Sequence, residues 1–247
     1  MNKVIVLGSS NAVAKQDQQN THLLFRSKAR TILVDCGDHP VASLAAAGVG
    51  LEEVSDLVLT HFHADHVGSL PLLIMDMWLE KRTTPLTIYG LEVTLNKASK
   101  LLELFDWQNW QGLFPVEFKI IPEGGLQTFL VDQDLSLSAM PVLHLIPTIG
   151  LRAEFNSGQV VSYSCDTEPC PAVEVLAQGA DIHFQEAAGQ SKGHTSAAQA
   201  GEIATRCGVK KLVLIHYESR NGQDNLLSEA RSSFKGEVAL AYDGMEL

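Results

Sequence analysis

Cysteine is scarce in this chain of 247 residues, which holds four: Cys36, Cys165, Cys170 and Cys207. Their spacing is not that of a disulfide scaffold, so a hydrophobic core must hold the fold, and buried free thiols are the ordinary reading. Cys165 and Cys170 alone lie close enough in sequence for a metal or redox role. Basic residues are also few, with 18 Lys and Arg against 29 Asp and Glu, for a net charge of −11. Lys81-Arg82 and Lys210-Lys211 are isolated pairs. A long nucleic acid needs a dense basic face and is not an expected partner, whereas a small phosphate-bearing ligand in a pocket stays admissible. The apolar run in the opening segment Met1–Gly8 is too short for a signal core or a membrane span, and it reads as a buried strand. A cytoplasmic location without a membrane partner is therefore expected. Linkers rich in Pro, Ser or charge, low-complexity tracts and short repeats are missing too. With 45% hydrophobic residues, the chain is neither disordered nor fibrous.

What is present is an alternation of short apolar strands and helical stretches. Strands are predicted at Val4–Leu7, Thr31–Val34, Leu57–Thr60, Leu86–Tyr89, Leu135–Val142, Val160–Ser164, Ile182–Gln185, Leu212–Ile215 and Val238–Ala241. Several are near-continuous Val and Ile runs, as expected for strands covered on both faces. Helices are predicted at Val67–Leu79, Val93–Phe105, Pro171–Ala177 and Ala197–Cys207. The last has a start and a stop, since Ser196 with Gln199 fits a capping box and Gly208 stands where a left-handed residue ends a helix. The turn Pro122-Glu123-Gly124-Gly125 falls near the midpoint, and each half reads as several strands followed by a helix. The expected architecture is a single α/β domain over residues 1–247. Its two similar halves suit two sheets between outer helix layers.

Nine histidines are the feature to explain. Three stand in Leu57-Val58-Leu59-Thr60-His61-Phe62-His63-Ala64-Asp65-His66, after an apolar strand and before a helix. One histidine at a strand end is ordinarily a surface or capping residue, but His61, His63, Asp65 and His66 place four potential metal ligands within six residues. His61 and His63 can face one cation while Asp65 and His66 are carried toward a second. Further candidates follow apolar strands in the same way: Asp35 after Leu33-Val34, His144 after Pro141-Val142-Leu143, Asp166 after Val160–Cys165, and His216 after Leu212–Ile215. That recurrence is what a site built on one edge of a sheet sandwich produces.

The H-x-H-x-D-H run, with His144, Asp166 and His216 following in order, resembles the metallo-β-lactamase superfamily. The resemblance implies a four-layer αββα sandwich and two divalent cations. His61, His63 and His144 would hold the first and Asp65, His66 and His216 the second, with Asp166 bridging. Imidazole and carboxylate ligands suit Zn²⁺, with Mn²⁺ or Fe possible, and the pair of cations would clamp a bridging hydroxide as nucleophile. Cys165, next to Asp166, is expected on the opposite face by strand alternation and is not counted as a ligand. His194, in Gly193-His194-Thr195-Ser196 ahead of a helix, and Glu186 together resemble the ribonuclease Z-like phosphodiesterases. That resemblance makes His194 a general acid held by Glu186, and Asp65 is counted with them among the catalytic residues. Asn20, Thr21 and Asp35 match positions near the site in that family, in which a homodimer is common.

Two departures shape the expected substrate. The protruding arm of transfer-RNA-processing members lies between the third-motif His and the bridging Asp, where this chain has only Leu145 to Cys165. No Lys/Arg cluster is present. A small or cyclic phosphodiester therefore fits better than an RNA. The alternatives are an RNA 3′-processing endonuclease lacking the arm, a hydrolase of a thioester, lactone or lactam, and a redox module of the same fold. Of the remaining histidines, His22 and His39 sit in polar turns that flank the site, and His183 reads as a satisfied core residue. Trp107, Trp110 and Phe114 lie beyond the helical spacing of Leu95, Ala98, Leu102 and Phe105. They either pack the core or wall a substrate pocket or dimer contact.

Overall fold

Apolar runs of four to eight residues pair edge to edge in the computed structural model of the chain, which describes residues 2–218 and 223–247. Backbone contacts divide it into two units, one of residues 2–121 with the C-terminal Tyr242–Leu247, the other of Pro122–Ala241 without the undescribed residues. The division falls at the turn beginning with Pro122.

The first unit holds a six-stranded sheet in chain order: β1 (Lys3–Gly8), β2 (His22–Arg26), β3 (Thr31–Val34), β4 (Asp56–Val58), β5 (Leu86–Gly90) and β6 (Val116–Ile120). Strands β1 to β3 are antiparallel, and β3 to β6 run parallel. Parallel neighbours need crossovers, supplied by α1 (Pro40–Ala46), by α2 (Ala64–Val67) with α3 (Leu70–Leu79), and by α4 (Glu92–Glu103). Leu33, Leu57 and Ile88 of the sheet share one core with Leu73, Ile74 and Met77 of α3 and Leu95, Ala98 and Leu102 of α4. The chain end returns to this unit, where Val4 and Leu247 exchange backbone hydrogen bonds of 2.9 Å.

The second unit repeats the plan with seven strands: β7 (Gln127–Val131), β8 (Leu135–Val142), β9 (Thr148–Phe155), β10 (Val160–Tyr163), β11 (Ile182–Glu186), β12 (Lys211–Ile215) and β13 (Glu237–Leu240). Strands β7 to β10 are antiparallel and β10 to β13 parallel, with α5 (Pro171–Ala177), α6 (Ala197–Arg206) and α7 (Gln223–Ser233) on the crossovers. The capping box of α6 forms as expected: the Gln199 N–H donates to Ser196 Oγ at 3.3 Å, and the Ser196 N–H donates to Gln199 Oε1 at 2.9 Å. Helices α6 and α7 cross so closely that a Cβ at Gly201 would lie 2.3 Å from the Ala230 carbonyl oxygen.

Several expectations need correction. The helix expected over Val67–Leu79 is two helices, because Pro71 has no N–H to donate and starts α3 afresh. Strands β2, β6, β7 and β9 and helices α1 and α7 went unanticipated. The sequences of β6 (VEFKI) and β9 (TIGLRAEF) interleave charges that break an apolar run. His22 is not in a polar turn but is buried as the first residue of β2. His183 is the satisfied core residue expected, 2.8 Å from Ser162 Oγ through Nδ1 and 2.9 Å from Gln185 Oε1 through Nε2.

Burial lowers His183 to about 4, so the folded state holds it neutral where an unfolded chain protonates it near 6.5. Its contribution to stability is complete above pH 6.5 and is lost as pH falls from there toward 4, by about 3 kcal/mol in all. Urea unfolding at pH 7 and pH 4.5 should show His183→Gln losing less stability over that interval than the wild type. Equal losses in the two proteins would contradict this assignment.

Candidate active site

In the first unit the donors gather where β3 and β4, parallel neighbours, end together. Asp35 follows β3 with φ +64°, a left-handed turn that takes its side chain off the strand's course. It is fully buried and accepts three hydrogen bonds: from the Thr60 N–H at 2.8 Å, from Thr60 Oγ1 at 2.7 Å and from His66 Nδ1 at 2.7 Å. Burial pushes its carboxyl up, against the opposing pull of His66 and Thr60. Thr60 Oγ1 gives its proton to Asp35 and so accepts from His61 Nδ1 at 3.1 Å.

These partners decide which nitrogens carry the proton. With Nδ1–H of His66 donated to Asp35, its Nε2 carries the ring's lone pair, and it lies 3.4 Å from Asp65 Oδ2. His61 likewise turns Nε2 toward His63 Nδ1 at 3.0 Å. A lone pair facing a carboxylate is unfavourable unless a cation or a proton sits between them, so the donor set fits a metal.

The second unit is built the same way at the ends of β8, β10, β11 and β12. The His144 Nδ1–H donates to the Gly193 carbonyl at 2.7 Å, leaving Nε2 to face Asp166 Oδ2 at 3.9 Å. His216 Nε2 lies 3.3 Å from the same oxygen. Cys165 (φ +54°) and His216 (φ +53°) are left-handed, so two strands end in sharp turns that re-aim Asp166 and His216. Cys165 stands two residues past β10, and strand alternation does not set its direction. It counts, with His61, His63, Asp65, His66, His144, Asp166 and His216, among the residues able to hold a metal ion.

His194 lies beside these donors, its ring 5.1 Å from that of His144 and 6.0 Å from that of His216, centre to centre. Its Nδ1–H donates to Glu186 Oε1 at 3.0 Å. Glu186, the last residue of β11, is fully buried. It also accepts from the N–H groups of Thr167 at 3.1 Å, Thr195 at 3.1 Å and Ala188 at 2.9 Å. Burial pushes its carboxyl up to about 7, and the His194 hydrogen bond pulls the other way. All four donors suit the ionised form, while the imidazole edge of His194 is partly open to solvent.

Other expected residues have supporting tasks. Thr21 Oγ1 donates to the Ser10 carbonyl and Asn20 Nδ2 to that of Asn11, which fastens the loop after β1. His39 is exposed, with Nε2 3.8 Å from Asp38. Phe114 is core, and Trp107 and Trp110 are half-buried against it, Trp110 stacked on Trp78 at 5.2 Å. Trp110 also helps line a shallow groove of about 180 Å³ with Leu72, Met75 and Phe105. Sequence reading missed Thr60 and Thr167. Each is a hydroxyl residue adjacent to a ligand at a strand end, a signal that was legible.

Residues 2–237 match the family described as Anti-Pycsar protein Apyc1. The chain belongs to the Anti-Pycsar protein Apyc1 family. It is 30% identical to a ribonuclease Z of Mycolicibacterium gilvum, over 88% of this chain and 84% of that one. A ribonuclease Z of Methanothermobacter thermautotrophicus is 26% identical, over 93% and 91%. Among solved structures, the metallo-β-lactamase fold protein YhfI of Bacillus subtilis superposes with a TM-score of 0.85 at 23% identity, covering 100% of this chain and 98% of that one. Human short-form tRNase Z gives 0.81 at 21% identity, over 99% and 98%. The fold is thus the metallo-β-lactamase fold expected, in its ribonuclease Z-like branch, and the protein is a metal-dependent hydrolase of the phosphodiesterase type. Among the described residues, no helix is long and apolar enough to cross a membrane.

Because Asp35 fixes His66, Asp35→Ala should weaken metal binding by about 10–100-fold, read by competition with a chromogenic chelator. Unaltered affinity would show that His66 is held without it.

Proposed function

We propose that this hydrolase cleaves small or cyclic phosphodiesters at a site for two zinc ions, with the ligand sets that the family resemblance assigns. His61, His63 and His144 take one ion, Asp65, His66 and His216 the other, and Asp166 is shared. The engagement of Nδ1 in His61, His66 and His144, which orients each ring, supports the ligand roles. Divalent cations supply Lewis-acid activation of water and neutralise charge on the phosphoryl oxygens.

The observation that carries the reading is the His194–Glu186 pair. Glu186 holds Nδ1–H at 3.0 Å, so Nε2 is the nitrogen left to carry a proton outward. That hydrogen bond orients the imidazole, and a proton carried on the outward nitrogen would be the one given to a departing alkoxide. An alkoxide leaves poorly without that proton.

Substrate size rests on three features. The stretch between His144 and Asp166 is consumed by β9, a turn and β10, which supports the absence of an arm. Leu143 and Leu145, on either side of His144, are about half exposed and offer apolar surface rather than phosphate contacts. Basic clusters are lacking, and RNA binding draws on several. The same reading places the protein in the cytoplasm, in keeping with four free cysteines.

His194→Ala should keep its metal and lose about 10²–10⁴-fold in kcat on a diester with an alkyl leaving group. The loss should be much smaller on bis(p-nitrophenyl) phosphate, whose leaving group needs no proton. Turnover of a thioester or lactone with neither diester cleaved would defeat the phosphodiesterase reading.

A further inference from the structure

Gly193 carries a requirement that the sequence does not announce. Its φ is +83°, and a Cβ there would lie 2.9 Å from His144 Nδ1 and 3.0 Å from Leu145 Cγ. The position must therefore be glycine, because the backbone passes directly over the imidazole it holds. Glycine is also the residue with the widest freedom of rotation. A carbonyl that has to stay 2.7 Å from His144 Nδ1 is thus mounted on the least constrained backbone available, and something else must fix it.

Glu168 does so. Its Oε1 accepts the Gly193 N–H at 2.9 Å. Its own backbone is anchored to the strand end that bears His144: the Glu168 N–H donates to the Leu143 carbonyl at 2.8 Å, and the Leu143 N–H donates to Thr167 Oγ1 at 3.1 Å. Glu168 stands two residues after Asp166, and Gly193 immediately before His194. One half-buried side chain thereby ties together the three segments bearing His144, Asp166 and His194.

We propose that Glu168 is a positioning residue, which clamps Gly193 and through it sets the imidazole of His144 and the approach of His194. The inference rests on the reading of His144 as a metal ligand and His194 as the proton donor. The Glu168 side chain acts on the Gly193 N–H rather than on His144 or His194 directly. What it controls is whether the Gly193 carbonyl keeps its place.

Three variants test this. Glu168→Ala removes the acceptor, and Glu168→Asp retains the charge but withdraws it by one methylene from the Gly193 N–H. Glu168→Gln keeps an oxygen at the same reach. Metal affinity, measured by chelator competition with no substrate present, should fall about 10–100-fold in the Ala and Asp variants, the usual cost of losing the group that orients a ligand imidazole. The Gln variant should recover most of that loss. Exchange of the Gly193 amide with deuterium should accelerate in Ala and Asp and stay slow in Gln, which a general loss of stability would not reproduce. Wild-type affinity in both Ala and Asp overturns the proposal, as does a Gln variant as weak as Ala. The Asp variant keeps the test decisive if Ala does not fold. A wild type inactive on every diester would refute the substrate reading and leave the affinity and exchange results to judge Glu168.

Discussion

Which nitrogen of His61, His66 and His144 carries the proton decides what the rest of the structure can do. Each of these imidazoles has Nδ1 engaged, with Thr60 Oγ1, Asp35 and the Gly193 carbonyl respectively. A neutral imidazole has one N–H, so the engaged nitrogen leaves Nε2 as a lone pair of fixed direction. Near those lone pairs stand Asp65 and Asp166, acceptors themselves. Reversing one tautomer would turn a metal ligand into a hydrogen-bond donor to its neighbouring carboxylate. The buried Asp35 carboxylate and the Gly193 carbonyl thus decide which nitrogen of His66 and of His144 is engaged.

The topology explains how each unit gathers its own groups. Parallel neighbours present the same end on the same side, so the residues following β3 and β4 gather at one edge of the first sheet. Those following β10, β11 and β12 gather at one edge of the second. A strand that simply continued would carry its next side chains alternately up and down. The left-handed residues Asp35, Cys165 and His216 interrupt that alternation at the strand ends. None is a glycine, and such conformations cost free energy in other residues, so the surrounding hydrogen bonds must enforce them. The bonds on Asp35 are an instance, with one oxygen held by a backbone N–H and the other by a hydroxyl and an imidazole.

The candidate site was legible in the sequence to the extent that its residues are near one another or follow apolar runs. His61 to His66 is one stretch, and His144, Asp166 and His216 each close a strand whose Val, Leu and Ile content is plain. The contacts that orient them are remote along the chain: Asp35 and His66 are 31 residues apart, and His144 and Gly193 are 49 apart. No periodicity encodes such a pairing. The strands that escaped reading have a common cause as well. Strand β6 lies at an edge of its sheet and β7 at an edge of the other, half exposed, and neither needs the continuous apolar face by which a buried strand is recognised. His22 illustrates the converse error, since polar neighbours in Gln19-Asn20-Thr21 concealed a buried strand start.

An acidic chain that acts on phosphate meets an electrostatic difficulty, and the distribution of charge resolves it. A phosphoryl group needs positive charge where it arrives, and a net charge of −11 does not supply it at large. Asp35, Asp166 and Glu186 are buried carboxylates whose close ion-pair partners include histidines rather than only fixed cations. Negative charge held out of water in this way attracts a divalent cation strongly, and the attraction acts over a few ångströms. A cation held in that way would make a local positive focus, in keeping with the small phosphodiester proposed above. Successive phosphates of an RNA lie beyond that focus and would need basic side chains of their own, and this chain carries Lys81-Arg82 and Lys210-Lys211 only as separate pairs. Scarcity of Lys and Arg therefore supports the proposal of a short substrate, and the burial of the carboxylates supports a localised site for the cation.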